Sequence, residues 1–304
     1  MKLISAFIRL IRWPNLLFIA ITQLLFYYCI YRPLYDNRFH EILWIIIASV
    51  LIASAGYIIN DYFDLNIDQV NKPEKNVFVR TIHRRWAIIW HFLLSLCGII
   101  ATAIAVGVHK WYLVAANIFC IALLWFYSTS FKRQPVIGNL VISVLTAWTI
   151  LILFFAYNDI DSAFRVSNTL TVKFFRISFL YAGFAFIISL IREAIKDMQD
   201  MEGDRKYGCK TLPIVAGTRT TKIYITVWMV VLIGSLIVLQ MYILQFRWWW
   251  AIIYSTFLII LPLIIAQIKL YKAINTKDFA FLSQFTKFIM LTGILSMIFF
   301  RIYF

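Results

Sequence analysis

ILWIIIASVLIASAGYIINDYFDLNID, residues 42–68, carries no charged side chain over its first nineteen positions, Ile42–Asn60. Three aspartates, Asp61, Asp64 and Asp68, then follow within eight residues. About 20 apolar residues in helical form cross a bilayer core of about 30 Å, so the first part of this stretch predicts a membrane span. Carboxylates next to hydrocarbon are costly and mark functional positions, so the second part predicts a site at the end of that span. Outward in both directions the same pattern returns, at Trp13–Tyr31, Trp86–Val108, Trp111–Phe131, Gln134–Asn158, Ile223–Phe246 and Trp248–Ile268. Two weaker stretches complete the set: Ile177–Ile191, short and running into a second acidic segment, and Phe279–Phe300, which contains Lys287. Nine spans in one transmembrane domain over residues 1–304 predict an all-α, polytopic membrane protein. With 62% apolar and only 14% charged residues, the chain lacks the polar surface that a water-soluble fold needs.

The 29 Lys and Arg residues outnumber the 14 acids, but in so apolar a chain this excess is expected beside anionic lipid rather than on nucleic acid. Nine spans with the N-terminus in the cytoplasm place 21 basic residues inside and eight outside, and both acidic segments then face the cytoplasm. The N-terminus reads as a retained first helix, because no small-residue cleavage site follows it. Cys29, Cys97, Cys120 and Cys209 have no paired spacing, so neither disulfides nor a Cys/His metal site is expected. His40, His83, His91 and His109 are scattered and receive no role. Tryptophans at span ends, Trp13, Trp86, Trp111 and Trp248–Trp250, read as a headgroup belt. Pro262 falls mid-span and predicts a kink.

Nine of the 14 acids lie in two windows, Asp61, Asp64, Asp68 and Glu74 in one, Glu193, Asp197, Asp200, Glu202 and Asp204 in the other. Asn60, Asp64 and Asp68 are spaced four residues apart and share one helix face, as do Glu193, Asp197, Asp200 and Asp204. The steps Asp64/Asp68 and Asp200/Asp204 are 136 residues apart and each follows an even-numbered span, a weak repeat that predicts two halves with facing acidic stripes. Facing carboxylates repel unless a cation lies between them. Hard oxygen ligands suit Mg2+, which shares its coordination with substrate phosphates. Lys72, Lys75, Lys132, Arg133, Lys196, Arg205, Lys206 and Lys210 lie close by and can hold phosphate oxygens. The competing interpretation is a loop network of ion pairs between these acids and bases.

The run Asn60-Asp61-Tyr62-Phe63-Asp64-Leu65-Asn66-Ile67-Asp68, with Lys196-Asp197-Met198-Gln199-Asp200-Met201-Glu202-Gly203-Asp204, resembles the UbiA family of intramembrane prenyltransferases. Arg12-Trp13-Pro14-Asn15, Tyr127-Ser128, Lys132-Arg133 and Gly138-Asn139 match further segments of that family in order. The resemblance implies nine helices around a central cavity open to lipid, and a lipid-soluble acceptor. It implies Mg2+ held by Asn60, Asp64, Asp68, Asp197, Asp200 and Asp204. It also implies a polyprenyl diphosphate donor and substrate binding by Arg12, Asn15, Asp61, Lys72, Lys75, Tyr127, Arg133, Lys196 and Arg205, with Arg12 and Asn15 orienting donor or acceptor. In this reading Asp64, Asp68, Asp200, Asp204 and Lys132 carry the catalysis. Within the family both runs look most like the ether-lipid branch, which implies a geranylgeranyl donor and the hydroxyl of geranylgeranylglyceryl phosphate or a similar lipid as acceptor. Lys75-Asn76 stands where that branch has an Arg-Pro pair. An aromatic acceptor of the 4-hydroxybenzoate, quinone or chlorophyll type is the alternative within the family. A transporter or a silent membrane scaffold is the alternative outside it, disfavoured because the acids gather at span ends and keep an intact motif spacing.

Overall fold

The computed structural model describes residues 2–33, 38–71, 84–158 and 169–303. Lys72 and Lys75, two of the expected substrate ligands, lie outside them. Among the described residues nine helices are long and apolar enough to cross a membrane, and there is no β-strand. In chain order the helices begin with α1 (Lys2–Leu10), α2 (Trp13–Tyr31), α3 (Phe39–Phe63), α4 (Leu65–Asn71) and α5 (Arg84–Val106). There follow α6 (Val108–Thr129), α7 (Ile137–Tyr157), α8 (Leu170–Gln199), α9 (Met201–Lys206) and α10 (Leu212–Val215). The last three are α11 (Gly217–Leu244), α12 (Trp249–Lys272) and α13 (Thr276–Tyr303). The chain is an integral, multi-pass membrane protein.

The spans form a ring: α2 packs on α3 and α7, α7 on α8, α8 on α11 and α13, and α13 returns to α2. One apolar core joins α2, α3, α7 and α8 around Phe26, Tyr27, Phe154 and Phe174, and a second joins α8, α11, α12 and α13 around Met229, Leu263 and Leu282. A helix that is apolar on every side is satisfied equally by protein and by lipid, so exposed residues such as Phe92, Phe119, Val238 and Met241 face outward without a solubility cost.

Several elements depart from the sequence expectation. The sixth span is 30 residues long, not fifteen, because Lys173, Arg176, Glu193 and Lys196 continue the helix instead of ending it. A search for uncharged runs stops at charges that a helix can turn inward. The first nine described residues form α1, separate from the first span, with Ala6 and Leu10 packed on Ile58 and Ala87 and with Ile4 and Ile8 exposed. That amphipathic pattern suits a helix lying in the membrane interface. Pro262 is preceded by a π-helical turn at Thr256–Ile260, the local rearrangement that its missing N–H permits. Trp13, Trp86, Trp111, Trp249 and Trp250 are exposed at span ends as a belt requires, but Trp248 is not a belt residue. It turns into the bundle and stacks on Tyr303 at 4.9 Å. The four cysteines are free.

Candidate active site

The two acidic segments are built the same way. At the end of α3, Asp64 N donates to Asn60 O at 2.9 Å and Asp68 N to Asp64 O at 2.8 Å, with Asp64 standing at the break before α4. At the end of α8, Asp200 N donates to Lys196 O at 2.9 Å and Asp204 N to Asp200 O at 3.2 Å, with Asp200 at the break before α9. The hydrogen-bond ladder carries across each break, so the four-residue step keeps its carboxylates on one face, as the spacing predicts.

One side chain joins the two segments. Asn71 donates through Nδ2 to Asp200 O at 3.0 Å and accepts from Gly203 N through Oδ1 at 2.8 Å. Only glycine allows this approach, since a Cβ on residue 203 would stand 2.5 Å from Asn71 Oδ1.

The basic residues then distribute among the acids. Lys132, on the turn after α6, forms an ion pair with Asp64, and Asn60 Nδ2 donates to the other oxygen of that carboxylate at 2.8 Å. Gly138 lets this turn pack against α7, because a Cβ there would meet Lys132 Cα at 2.9 Å. Asn139 donates to Asp197 at 2.9 Å. Arg12 pairs with Asp61 at 2.5 Å and lies 5.4 Å from the centroid of the Tyr57 ring. The neighbouring Asp61 carboxylate holds the Arg12 guanidinium even more firmly in its charged form. Arg12 adopts left-handed backbone angles, φ 52° and ψ 52°, which for a non-glycine residue costs about 1–2 kcal/mol. Its bond to Asp61 offsets that strain. Lys196 donates to both oxygens of Glu193, at 3.0 and 2.8 Å, and Arg192 reaches the same carboxylate at 3.3 Å.

These groups close one end of a cavity of about 1030 Å³ lined by every span except α5. Arg12, Asn15, Asn60, Tyr127 and Lys196 line it. Asp64, Asp68, Asp197, Asp200, Asp204 and Lys132 do not line it, and Asp64 adjoins it through its hydrogen bond from Asn60. Asp61 serves Arg12, and Arg133 and Arg205 are exposed, Arg133 giving its carbonyl to Lys210 N at 2.7 Å. From Arg192 to Arg176 the cavity follows α8 for about 24 Å, at 1.5 Å per helical residue, between walls such as Ile188, Phe184 and Tyr181.

Among the described residues no three carboxylates converge into a ready-made metal site. The donor set nevertheless fits Mg2+: carboxylates and one amide, all hard oxygens. Asn60 Oδ1 is buried and has no hydrogen-bond partner. A cation beside it would satisfy that orphaned acceptor.

Five contributors receive no role from the sequence. Asn139 belongs to the matched Gly138-Asn139 step and Asn71 follows the first acidic run by three residues, but both are polar and uncharged. Glu193 lay in the acidic window, and the adjacent Arg192 and the mid-span Lys287 were counted only toward orientation. A charge inside an apolar span is itself a functional signal, and Lys287 was legible on that ground.

Residues 16–291 match the model of the UbiA prenyltransferase family. This chain belongs to that family. It is an intramembrane prenyltransferase. It is 32% identical over 216 residues to digeranylgeranylglyceryl phosphate synthase of Pyrococcus abyssi, covering 71% of this chain and 70% of that one. It is 31% identical over 244 residues to the synthase of the same name from Methanothermobacter thermautotrophicus, covering 79% and 76%. Among solved structures, one from work on digeranylgeranylglyceryl phosphate synthase in membranes superposes with a TM-score of 0.65 at 22% identity, over 98% of this chain and 99% of that one. A UbiA homologue from Archaeoglobus fulgidus, bound to DMAPP and Mg2+, superposes with a TM-score of 0.59 at 15% identity, over 96% and 98%. At these identities the solved structures establish a common fold.

Proposed function

We propose that this prenyltransferase moves a geranylgeranyl group from its diphosphate to the free hydroxyl of geranylgeranylglyceryl phosphate, forming an ether, in a reaction that requires Mg2+. Support for the acceptor comes from the relatives, which are named for that product, and from the branch-like motifs. The observation that carries the chemistry is the junction of the two acidic turns at the mouth of an apolar cavity, with the unsatisfied Asn60 Oδ1 between them and the cavity.

Asn60, Asp64 and Asp68 on one side, and Asp197, Asp200 and Asp204 on the other, would hold Mg2+. When bound, Mg2+ offsets the negative charge that builds on a departing diphosphate. Lys132 and Lys196 add fixed positive charge at the same end, and Asn71 keeps the two acidic turns together. As the allylic C–O bond breaks, its electron pair leaves with the diphosphate, and the acceptor oxygen closes on the allylic carbon while its proton passes to the released diphosphate. The cavity walls hold the prenyl chain and exclude the water that would otherwise quench the cation, which aromatic faces stabilise. We also assign the N-terminus and both acidic turns to the cytoplasmic side, and the chain to a single domain with two related halves. The basic-residue count supports the first assignment, and the matching breaks at Asp64 and Asp200 support the second.

The test is transfer by detergent-purified protein from geranylgeranyl diphosphate with Mg2+, comparing geranylgeranylglyceryl phosphate with 4-hydroxybenzoate. An ether product that EDTA abolishes is expected with the first alone. Product with the aromatic acid alone would refute the acceptor assignment.

A further inference from the structure

Lys287 sits eleven residues into α13, about 16 Å from its start, and lines the cavity. Its Nζ donates to Asn15 Oδ1 at 2.7 Å and lies 4.9 Å from the centroid of the Phe18 ring. Among the described residues no carboxylate is within ion-pairing distance of it. Arg192 lines the same cavity. The Nε of Arg192 is buried and has no hydrogen-bond partner, and the carboxylate that Arg192 meets, Glu193, is already held by Lys196.

The basic residues that line this end of the cavity are unequally partnered. Arg12 pairs with Asp61 and Lys196 with Glu193, whereas Arg192 only shares Glu193 and Lys287 has no carboxylate partner among the described residues. Two like charges in an apolar wall repel, and a buried donor without a partner is costly, so the arrangement calls for an anion. A phosphate monoester carries close to two negative charges near neutral pH and several strong acceptor oxygens. The donor diphosphate belongs to the acidic turns, and Arg192 lies eight residues, about 12 Å along α8, deeper than Asp200. An anion at that depth must arrive on a lipid whose chain enters the same cavity.

We propose that Lys287 and Arg192, with Asn15, form a phosphate-monoester subsite that seats the acceptor by its headgroup, separate from the acidic turns that serve the donor. This rests on the glycerol-phosphate acceptor proposed above. The subsite explains why a lysine stands inside an apolar span and lines a cavity that an arginine also lines, and it makes the headgroup phosphate the feature by which the acceptor is selected.

The experiment measures transfer from geranylgeranyl diphosphate to geranylgeranylglyceryl phosphate and to phosphate-free geranylgeranylglycerol, using the wild type, Lys287→Met, Lys287→Arg and Arg192→Gln. For the wild type a clear preference for the phosphorylated acceptor is expected. Lys287→Met and Arg192→Gln should raise the KM for that acceptor about 10- to 100-fold, the loss of one charge-assisted contact, with the donor KM and the kcat at saturating acceptor within about threefold. Lys287→Arg should restore most of the preference, and unchanged elution on size exclusion shows that the variants are folded. If the preference survives in both Lys287→Met and Arg192→Gln, or if donor and acceptor KM rise together, the subsite is refuted and Lys287 is a helix joint through Asn15. A wild type that uses 4-hydroxybenzoate and neither glycerol lipid overturns the acceptor assignment itself, and the subsite with it.

Discussion

Gly203→Ala should separate the two acidic turns by displacing a single side chain. A Cβ at this position would stand 2.5 Å from Asn71 Oδ1 and 2.6 Å from its Cγ and Nδ2, well inside contact distance, so the amide must leave. Two hydrogen bonds go with it, Asn71 Nδ2 to Asp200 O at 3.0 Å and Gly203 N to Asn71 Oδ1 at 2.8 Å. At about 0.5–1.5 kcal/mol net for each, the joined arrangement loses about 1–3 kcal/mol, a factor of about 5 to 150 in its population. Prenyl transfer measured across a Mg2+ titration should show that loss as a higher Mg2+ midpoint and donor KM, with helix content by circular dichroism unchanged. The control is a double-mutant cycle with Asn71→Ala. Alanine at 71 removes every atom that the new Cβ would strike, so Asn71→Ala/Gly203→Ala should match Asn71→Ala within about 0.5 kcal/mol. Losses that add across the cycle, or a Gly203→Ala enzyme with wild-type Mg2+ dependence, would refute the clip as the element that joins the motifs.

Asp64→Asn leaves the shape of the side chain but removes the charge that Lys132 and Mg2+ require, and should lower kcat more than about 100-fold while the protein still inserts and purifies. Near-normal turnover at saturating Mg2+ would contradict the assignment. Gly138→Ala brings a Cβ to 2.9 Å from Lys132 Cα and 3.0 Å from Phe131 O. Backbone cannot swing aside as a side chain can, so Lys132 should shift off Asp64 and kcat/KM should fall about 100-fold, the order expected for an ångström of misplacement. Full activity in this variant would show that the turn is not rigid. Gln23→Leu removes hydrogen bonds to Ser49 Oγ at 2.9 Å and Thr149 O at 2.8 Å, but it also removes the buried Gln23 Oε1, an acceptor that has no partner. With intramembrane hydrogen bonds averaging about 0.6 kcal/mol, the change in thermal stability in detergent should stay under about 1 kcal/mol, and a loss several times larger would show that this pair clamps α2 to its neighbours.

The sequence alone determined the membrane class, nine spans, the position of both acidic turns and their common four-residue step, because hydropathy and helical spacing are properties of neighbouring residues. It also carried the family, since the motifs occur in order along the chain. Helix ends were less legible wherever charges turn inward. Ile177–Ile191 stops short at both ends because Arg176 and Arg192 look like boundaries until the cavity they face is known. Only the tertiary structure decided which partner each charge meets. Lys132 reaches Asp64 from 68 positions away, Asn71 reaches Asp200 across 129, and Lys287 reaches Asn15 across 272. These pairings depend on the rotation and depth of each helix in the ring, set by the packing of apolar side chains from several spans at once. A pattern read along one span contains the spacing of its charges but not the face that its neighbours will bury.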